Sequence, residues 1–162
     1  MKHTEMTLEN FPLCKNNLAA HRITGELIQH PDQHTIVLIT GPVNDTMHLK
    51  QAIKSVFRPD DCVAQTTSDL TDDLIIACRN NTYGSSVQQH SSHKIYLLDD
   101  IQFLAGKECT QTAAYEIIKT RFEKGLLTIL FSDCDMSILQ DVFERRLVEL
   151  ISLGEIVEIK RL

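Results

Sequence analysis

Apolar residues recur along this chain with two periods, one helical and one extended. Leu49, Ala52, Ile53, Val56 and Phe57 fall at i, i+3, i+4, i+7 and i+8, which predicts a helix over 46–57. Arg58-Pro59 stops it, because a residue before proline is pushed out of the helical region. Ahead of it, TIVLI (35–39) is a short β-branched apolar run and predicts a buried strand, itself preceded by a helix over 16–29 with Ala20, Ile23 and Leu27 on one stripe. The alternation continues with a weak strand near 62–66, a helix near 69–79, a strand over 94–98 and a helix over 108–124 that turns Ala114, Ile117, Ile118 and Phe122 inward. LLTILF (126–131) is another buried strand. Ser137 with Gln140 reads as a capping box for a helix to about 151, with Leu139, Val142, Phe143 and Leu147 inward, and EIVEI (155–159) alternates as a last strand. Arg79–His93, RNNTYGSSVQQHSSH, reads as a loop by its Asn, Ser, Gln and Gly content. Strands alternating with helices predict one α/β layer domain, 1–162, built on a mainly parallel sheet.

Composition narrows the class. With 162 residues and 43% hydrophobic content the chain can bury one substantial core. It carries no apolar run long enough to span a bilayer, and the polar start MKHTEMTLENF has no signal-peptide core, so no membrane partner is expected. Five cysteines, scattered and without a CxxC pair, argue for a reducing, cytoplasmic setting rather than a disulfide framework. The formal net charge of −6 disfavours a strong electrostatic grip on DNA.

Candidate chemistry starts with Asp99 and Asp100, which arrive together at the end of the apolar strand. Buried carboxylates are costly unless paired, hydrated or bound to a cation, and in parallel α/β folds the ligand crevice lies beyond the carboxyl ends of the strands. Acidic residues also serve there simply as turn or cap residues. His90 and His93 are spaced HxxH but lack a third ligand, so a solvated loop outweighs zinc. Cys109 and Cys134 have no evident base partner and read as ordinary thiols.

The longer string LLDDIQFLAGKECTQ closely resembles the Walker B segment of the DnaA family, the AAA+ ATPases of bacterial replication initiation. TLENFPLCKNN (7–17) is similar to the segment that opens that core, DLIIACRNN (73–81) to the helix before the Walker B strand, ILFSD (129–133) to the sensor I strand, and FERRLVELISLGEIVEI (143–159) to the box VII helix and fifth strand. The resemblance implies a three-layer αβα P-loop NTPase core, a five-stranded parallel sheet in the order 5-1-4-3-2, with 94–98 beside 126–131 and 126–131 beside 35–39. It also implies that Asp99 and Asp100 hold the Walker B position and Asp133 the sensor position.

The same alignment shows departures. TGPVNDTMHL (40–49) stands where the family has its P-loop, so Asp45 replaces the last loop glycine, Thr46 the phosphate-binding lysine and Met47 the magnesium-binding hydroxyl; Pro42 removes one donor N–H. The lysine's charge-assisted contact is worth roughly 1.5–3 kcal/mol, and Asp45 turns attraction into repulsion. Lys50 comes four residues too late in the sequence to stand in for it. Leu150 falls at the arginine-finger position, with Arg146 at the box's earlier arginine and Arg145 beside it. The chain stops at Leu162, before the family's lid and DNA-binding domain, so a lid-less core is expected. At the family's single-strand DNA positions stand Ile75, Ile76, Lys107 and Cys109, of which only Lys107 is basic. These readings predict a nucleotide-binding-deficient module and not an enzyme, with a degenerate site of Asp45, Thr46, Met47, Asp99, Asp100 and Asp133 and no metal. ATP or ADP with magnesium is expected to bind weakly or not at all, DNA binding is expected to be weak if any, and the partner is expected to be a protein, DnaA or a second copy of the chain. The competing readings are a divergent ATPase with a remodelled loop, a weak single-strand DNA binder, and a decayed remnant or isolated fragment with no present function.

Overall fold

Three of the five strands are apolar at most positions and buried almost throughout, which requires cover on both faces, and the helices supply it. The computed structural model describes residues 5–161; the ends of the predicted domain, at Met1 and Leu162, lie outside the described residues. Strands β1 (Ile36–Thr40), β2 (Cys62–Thr66), β3 (Ile95–Asp99), β4 (Leu127–Ser132) and β5 (Glu155–Glu158) form one sheet in the order β2-β3-β4-β1-β5, every pair parallel. This is the expected order read from the other edge, with Leu130 of β4 in register with Leu38 on one side and Leu98 on the other. Helices α1 (Leu18–Gln29) and α2 (Val43–Val56) cover one face; α3 (Thr67–Arg79), α5 (Glu108–Glu123), α6 (Met136–Val142) and α7 (Arg145–Ile151) cover the other. Alternate strand residues feed the two cores: Val37, Ile39, Leu97 and Ile129 pack towards α1 and α2, whereas Leu38, Leu98 and Leu130 pack towards α5 and α7. Each such fully buried side chain contributes about 1.5–3 kcal/mol of transfer free energy.

The structure corrects several details of the sequence reading. The stretch read as a loop contains helix α4, Tyr83–His90, held by Tyr83 Oη donating to Glu116 and by Val87 against the core. The cap of α6 is Asp135, whose carboxylate accepts the Ile138 N–H, and Ser137 lies inside the helix, bonded to that same carboxylate. The helix expected to run to 151 breaks at Phe143–Glu144, where Phe143 is driven into the core and the Glu144 N–H donates to buried Gln111. Val142 and Val56, both expected inward, face solvent. Helix α2 starts at Val43, three residues before the expected start, which bears directly on the candidate site.

Arg121 of α5 is fully buried and, among the described residues, has no acidic partner. Its guanidinium donates to the carbonyls of His93 (2.6 Å) and Leu127 (2.7 Å) and to the Thr128 hydroxyl (2.9 Å), with longer bonds to His90 and Lys94, and stacks on Tyr96. Burial pulls its pKa down to about 10, so it stays charged at neutral pH. It clamps the amino-terminal ends of β3 and β4 to the end of α4. Among the described residues no helix is long and apolar enough to cross a membrane.

Candidate functional site

Strand β1 passes into α2 through only Gly41 and Pro42. Gly41 has φ 153°, and its N–H donates to the Ser132 carbonyl; a Cβ there would lie 2.6 Å from Cβ of Ile159. Only glycine passes under the end of β5, where the Ile159 N–H donates to the Thr40 carbonyl at 2.7 Å. Residues 43–47 are then helical. The N–H groups of Asp45 and Thr46 donate to the Pro42 carbonyl at 3.0 and 3.1 Å, and the buried Thr46 hydroxyl turns back to the Val43 carbonyl. Asp45 sits in the first turn, where the helix dipole favours a carboxylate, and Met47 is exposed.

Across the strand ends, the Lys50 ammonium of α2 donates directly to Asp99 Oδ2, with both side chains 17% exposed. Lys50 lies two turns into α2, too far along to reach back to the β1–α2 connection, but its four-carbon stem spans the gap to the end of β3. The sequence reading measured it against the loop and missed this contact. The other carboxylate oxygen of Asp99 accepts the Asp100 N–H at 2.8 Å, and its backbone carbonyl accepts the Thr67 hydroxyl. Asp100 is left-handed, φ 58°. Its carboxyl is held above the usual range by burial first and by the neighbouring Asp99 second, with Lys50 pulling the other way and Asp133 adding to the rise.

Asp133 follows β4, where its carboxylate accepts the Cys134 thiol and its carbonyl accepts the Arg161 guanidinium. Burial first, then that bond to Asp133, raises the Cys134 pKa. The structure therefore brings Lys50, Asp99, Asp100 and Asp133 into one electrostatic cluster, while Thr46 and Met47 take no part in it. Beside the cluster, a crevice of about 310 Å³ is lined by Thr40, Gly41, Asp133, Asp135, Glu158 and Arg161. The buried Thr40 hydroxyl oxygen has no hydrogen-bond partner among the described residues.

The remaining sequence candidates lie elsewhere. Leu150 is buried in the core, Arg146 stacks on Tyr115 and bonds Glu144, and Arg145 pairs with Glu149 on the surface. Ile75, Ile76, Lys107 and Cys109 are all exposed, on α3 and around the start of α5. His90 bonds the Ser86 carbonyl and Asp73, and among the described residues no three His, Cys, Asp or Glu side chains gather as a metal site.

Against known proteins, the family model of the bacterial DnaA ATPase domain matches residues 2–158. The chromosomal replication initiator protein DnaA of Gloeothece citriformis is 31% identical over 160 residues, 95% of this chain and 35% of that protein, so the chain spans about a third of its relative's length. Domain III of the replication initiation protein DnaA from Thermotoga maritima superposes with a TM-score of 0.88 at 25% identity, over 96% of this chain and 67% of that one. A replication initiator DnaA bound to AMPPCP and single-stranded DNA superposes at 0.85 with 29% identity, over 96% and 50%.

Proposed function

We propose, from the premise that this chain belongs to the bacterial DnaA ATPase-domain family, that it serves replication initiation through protein contacts and without a bound nucleotide. The observation that carries the reading is the Lys50–Asp99 ion pair. A magnesium nucleotide at these strand ends needs a free carboxylate beside the metal and free backbone N–H groups around the phosphates. Here an ammonium already compensates the carboxylate, and the N–H groups of Asp45 and Thr46 are spent on the first turn of α2. The Asp45 carboxylate adds repulsion where phosphate charge would lie. These residues do not fit a magnesium nucleotide, and no catalytic step is assigned to them.

In this reading Asp99, Asp100 and Asp133 are retained as structure, with Asp99 fastening α2 to β3. The partner is a protein, either a DnaA-family initiator or a second copy of the chain. The exposed Ile75, Ile76 and Lys107 support single-strand DNA binding poorly, since one cation contributes little against a net charge of −6.

A titration with a fluorescent ATP analogue in the presence of Mg²⁺ tests the proposal. The expected result is no saturation across the micromolar range. A dissociation constant of about 1 µM, equivalent to about −8.2 kcal/mol, would overturn it, as would a nucleotide-dependent rise in melting temperature.

A further inference from the structure

A further groove lies away from the strand ends, along the open edge of the sheet. It encloses about 750 Å³, with β2 as its floor and α3 and α4 as its walls. Among the described residues, strand β2 pairs with β3 alone. The Ile95 N–H donates to the Asp61 carbonyl, and alternate residues of a parallel strand face the partner. Val63 and Gln65 therefore bond β3, while Cys62, Ala64 and Thr66 turn their backbone groups outward. The Cys62 N–H is taken by the Arg58 carbonyl and the Thr66 N–H by the Asp69 carboxylate. Ala64 keeps both its N–H and its C=O open among the described residues. Such an edge is a template for an added strand.

The side chains around that edge specify what the strand must carry. Val63 lines the groove and Ile76, 56% exposed, stands beside it, offering apolar contact. Asp69 and Asp73 lie on the same wall. Asp69 is held below the usual carboxylate range by its bonds to the Thr66 backbone and hydroxyl, so it keeps its charge. A second copy is disfavoured as occupant, because the chain's other open edge, β5, holds no basic residue to meet these acids, and its Glu155 is already paired with His34. We infer that this groove takes an extended segment of a partner protein by strand addition at Ala64, with a basic side chain towards Asp69 and Asp73 and an apolar one against Val63 and Ile76. The inference names a class of partner for the protein-contact reading, and nucleotide binding at the strand ends would overturn that reading while leaving the groove as described.

The probe is a fluorescein-labelled, end-capped peptide, Thr-Val-Thr-Lys-Thr-Arg, whose alternate residues carry one apolar and two basic side chains on a single face, followed by anisotropy against the whole chain, with Thr-Val-Thr-Glu-Thr-Glu as its acidic counterpart. Amide shifts in the ¹⁵N-labelled protein locate the contact. The basic peptide is expected to bind, to shift amides of 62–66 and of α3, and to outcompete the acidic one. Ile76→Lys, on an exposed position, and Asp73→Asn should each weaken it, together by about tenfold or more. Ala64→Pro should abolish binding by removing the open N–H, with the melting temperature reporting that the fold persists. Equal binding of both peptides, indifference to Ile76→Lys, shifts confined to the strand ends, or no binding at all would overturn the inference.

Discussion

Breaking the Lys50–Asp99 pair from each side and from both gives the most direct measure of what it contributes. At contact and an effective dielectric near 20 the gross attraction is about 4 kcal/mol, from which desolvation and side-chain ordering subtract. Exposed pairs retain about 0.2–1 kcal/mol, whereas removing one partner of a buried pair costs about 3–5 kcal/mol. With 17% exposure on each side, this pair lies nearer the buried limit. Lys50→Met should cost about 2–3 kcal/mol, because it leaves Asp99 uncompensated beside Asp100. Asp99→Asn should cost less, since it also removes like-charge repulsion from Asp100. The double variant should recover about 1–2 kcal/mol of the summed losses as coupling. Urea denaturation at neutral pH, with a common m-value across the four proteins, is the assay. Coupling below about 0.5 kcal/mol would refute the argument, and so would a Lys50→Met protein more stable than the parent. A second readout uses Mg²⁺, which should raise the unfolding midpoint of Lys50→Met and leave the parent unchanged.

Arg121→Met should destabilise by about 3–5 kcal/mol, because three well-made donors to buried acceptors vanish together; a loss below about 1 kcal/mol in urea would show that the clamp is dispensable. Alkali should unfold the protein progressively under reducing conditions. The Cys62 thiol is raised from 9.0 to about 11, chiefly by burial, and Tyr83 from 10.0 to about 12 by burial and its bond to Glu116. The native state thus holds these protons longer than the unfolded one, so their stabilisation is complete below pH 9 and lost as pH rises towards 12, with Cys62 accounting for about 2–3 kcal/mol; a flat midpoint from pH 8 to 11 would contradict this. Rewriting the loop as Asp45→Gly, Thr46→Lys and Met47→Thr should not restore nucleotide binding while Lys50 remains on Asp99, and should restore it when Lys50→Met is added. No brisk hydrolysis should accompany it; binding by the triple variant alone would show that the ion pair is no barrier.

The strands were legible because burial on both faces writes an unbroken apolar run, and their order followed from the resemblance rather than from pattern. Helix α4 was not legible, since it has no fully buried residue and its composition is that of a loop; its helicity comes from tertiary anchors at Tyr83, Val87 and the His90 carbonyl. The Phe143–Glu144 break was hidden for a related reason. The helical spacing of Leu139, Phe143 and Leu147 continues through it, while Gln111, distant in sequence, captures the backbone. At the candidate site, the carboxylates were found by position, but their cation was not. Distance along a helix says little about where a long lysine stem can reach across a sheet.

Arg121 gives the two ends of the sheet different chemical tempers. Its guanidinium is held by peptide carbonyls and a hydroxyl, none of which titrates under conditions in which the protein is folded, and buried bonds of this kind are little screened by mobile ions. At the opposite end of β3 the fastening is a carboxylate and an ammonium with a sixth of each side chain in water. Concentrated salt should therefore loosen the molecule from one end only, freeing α2 from β3 while the α4–β3–β4 corner stays shut. Amide exchange at raised ionic strength would then spread from the carboxyl ends of the strands, so that the end bearing the candidate site opens ahead of the rest of the fold.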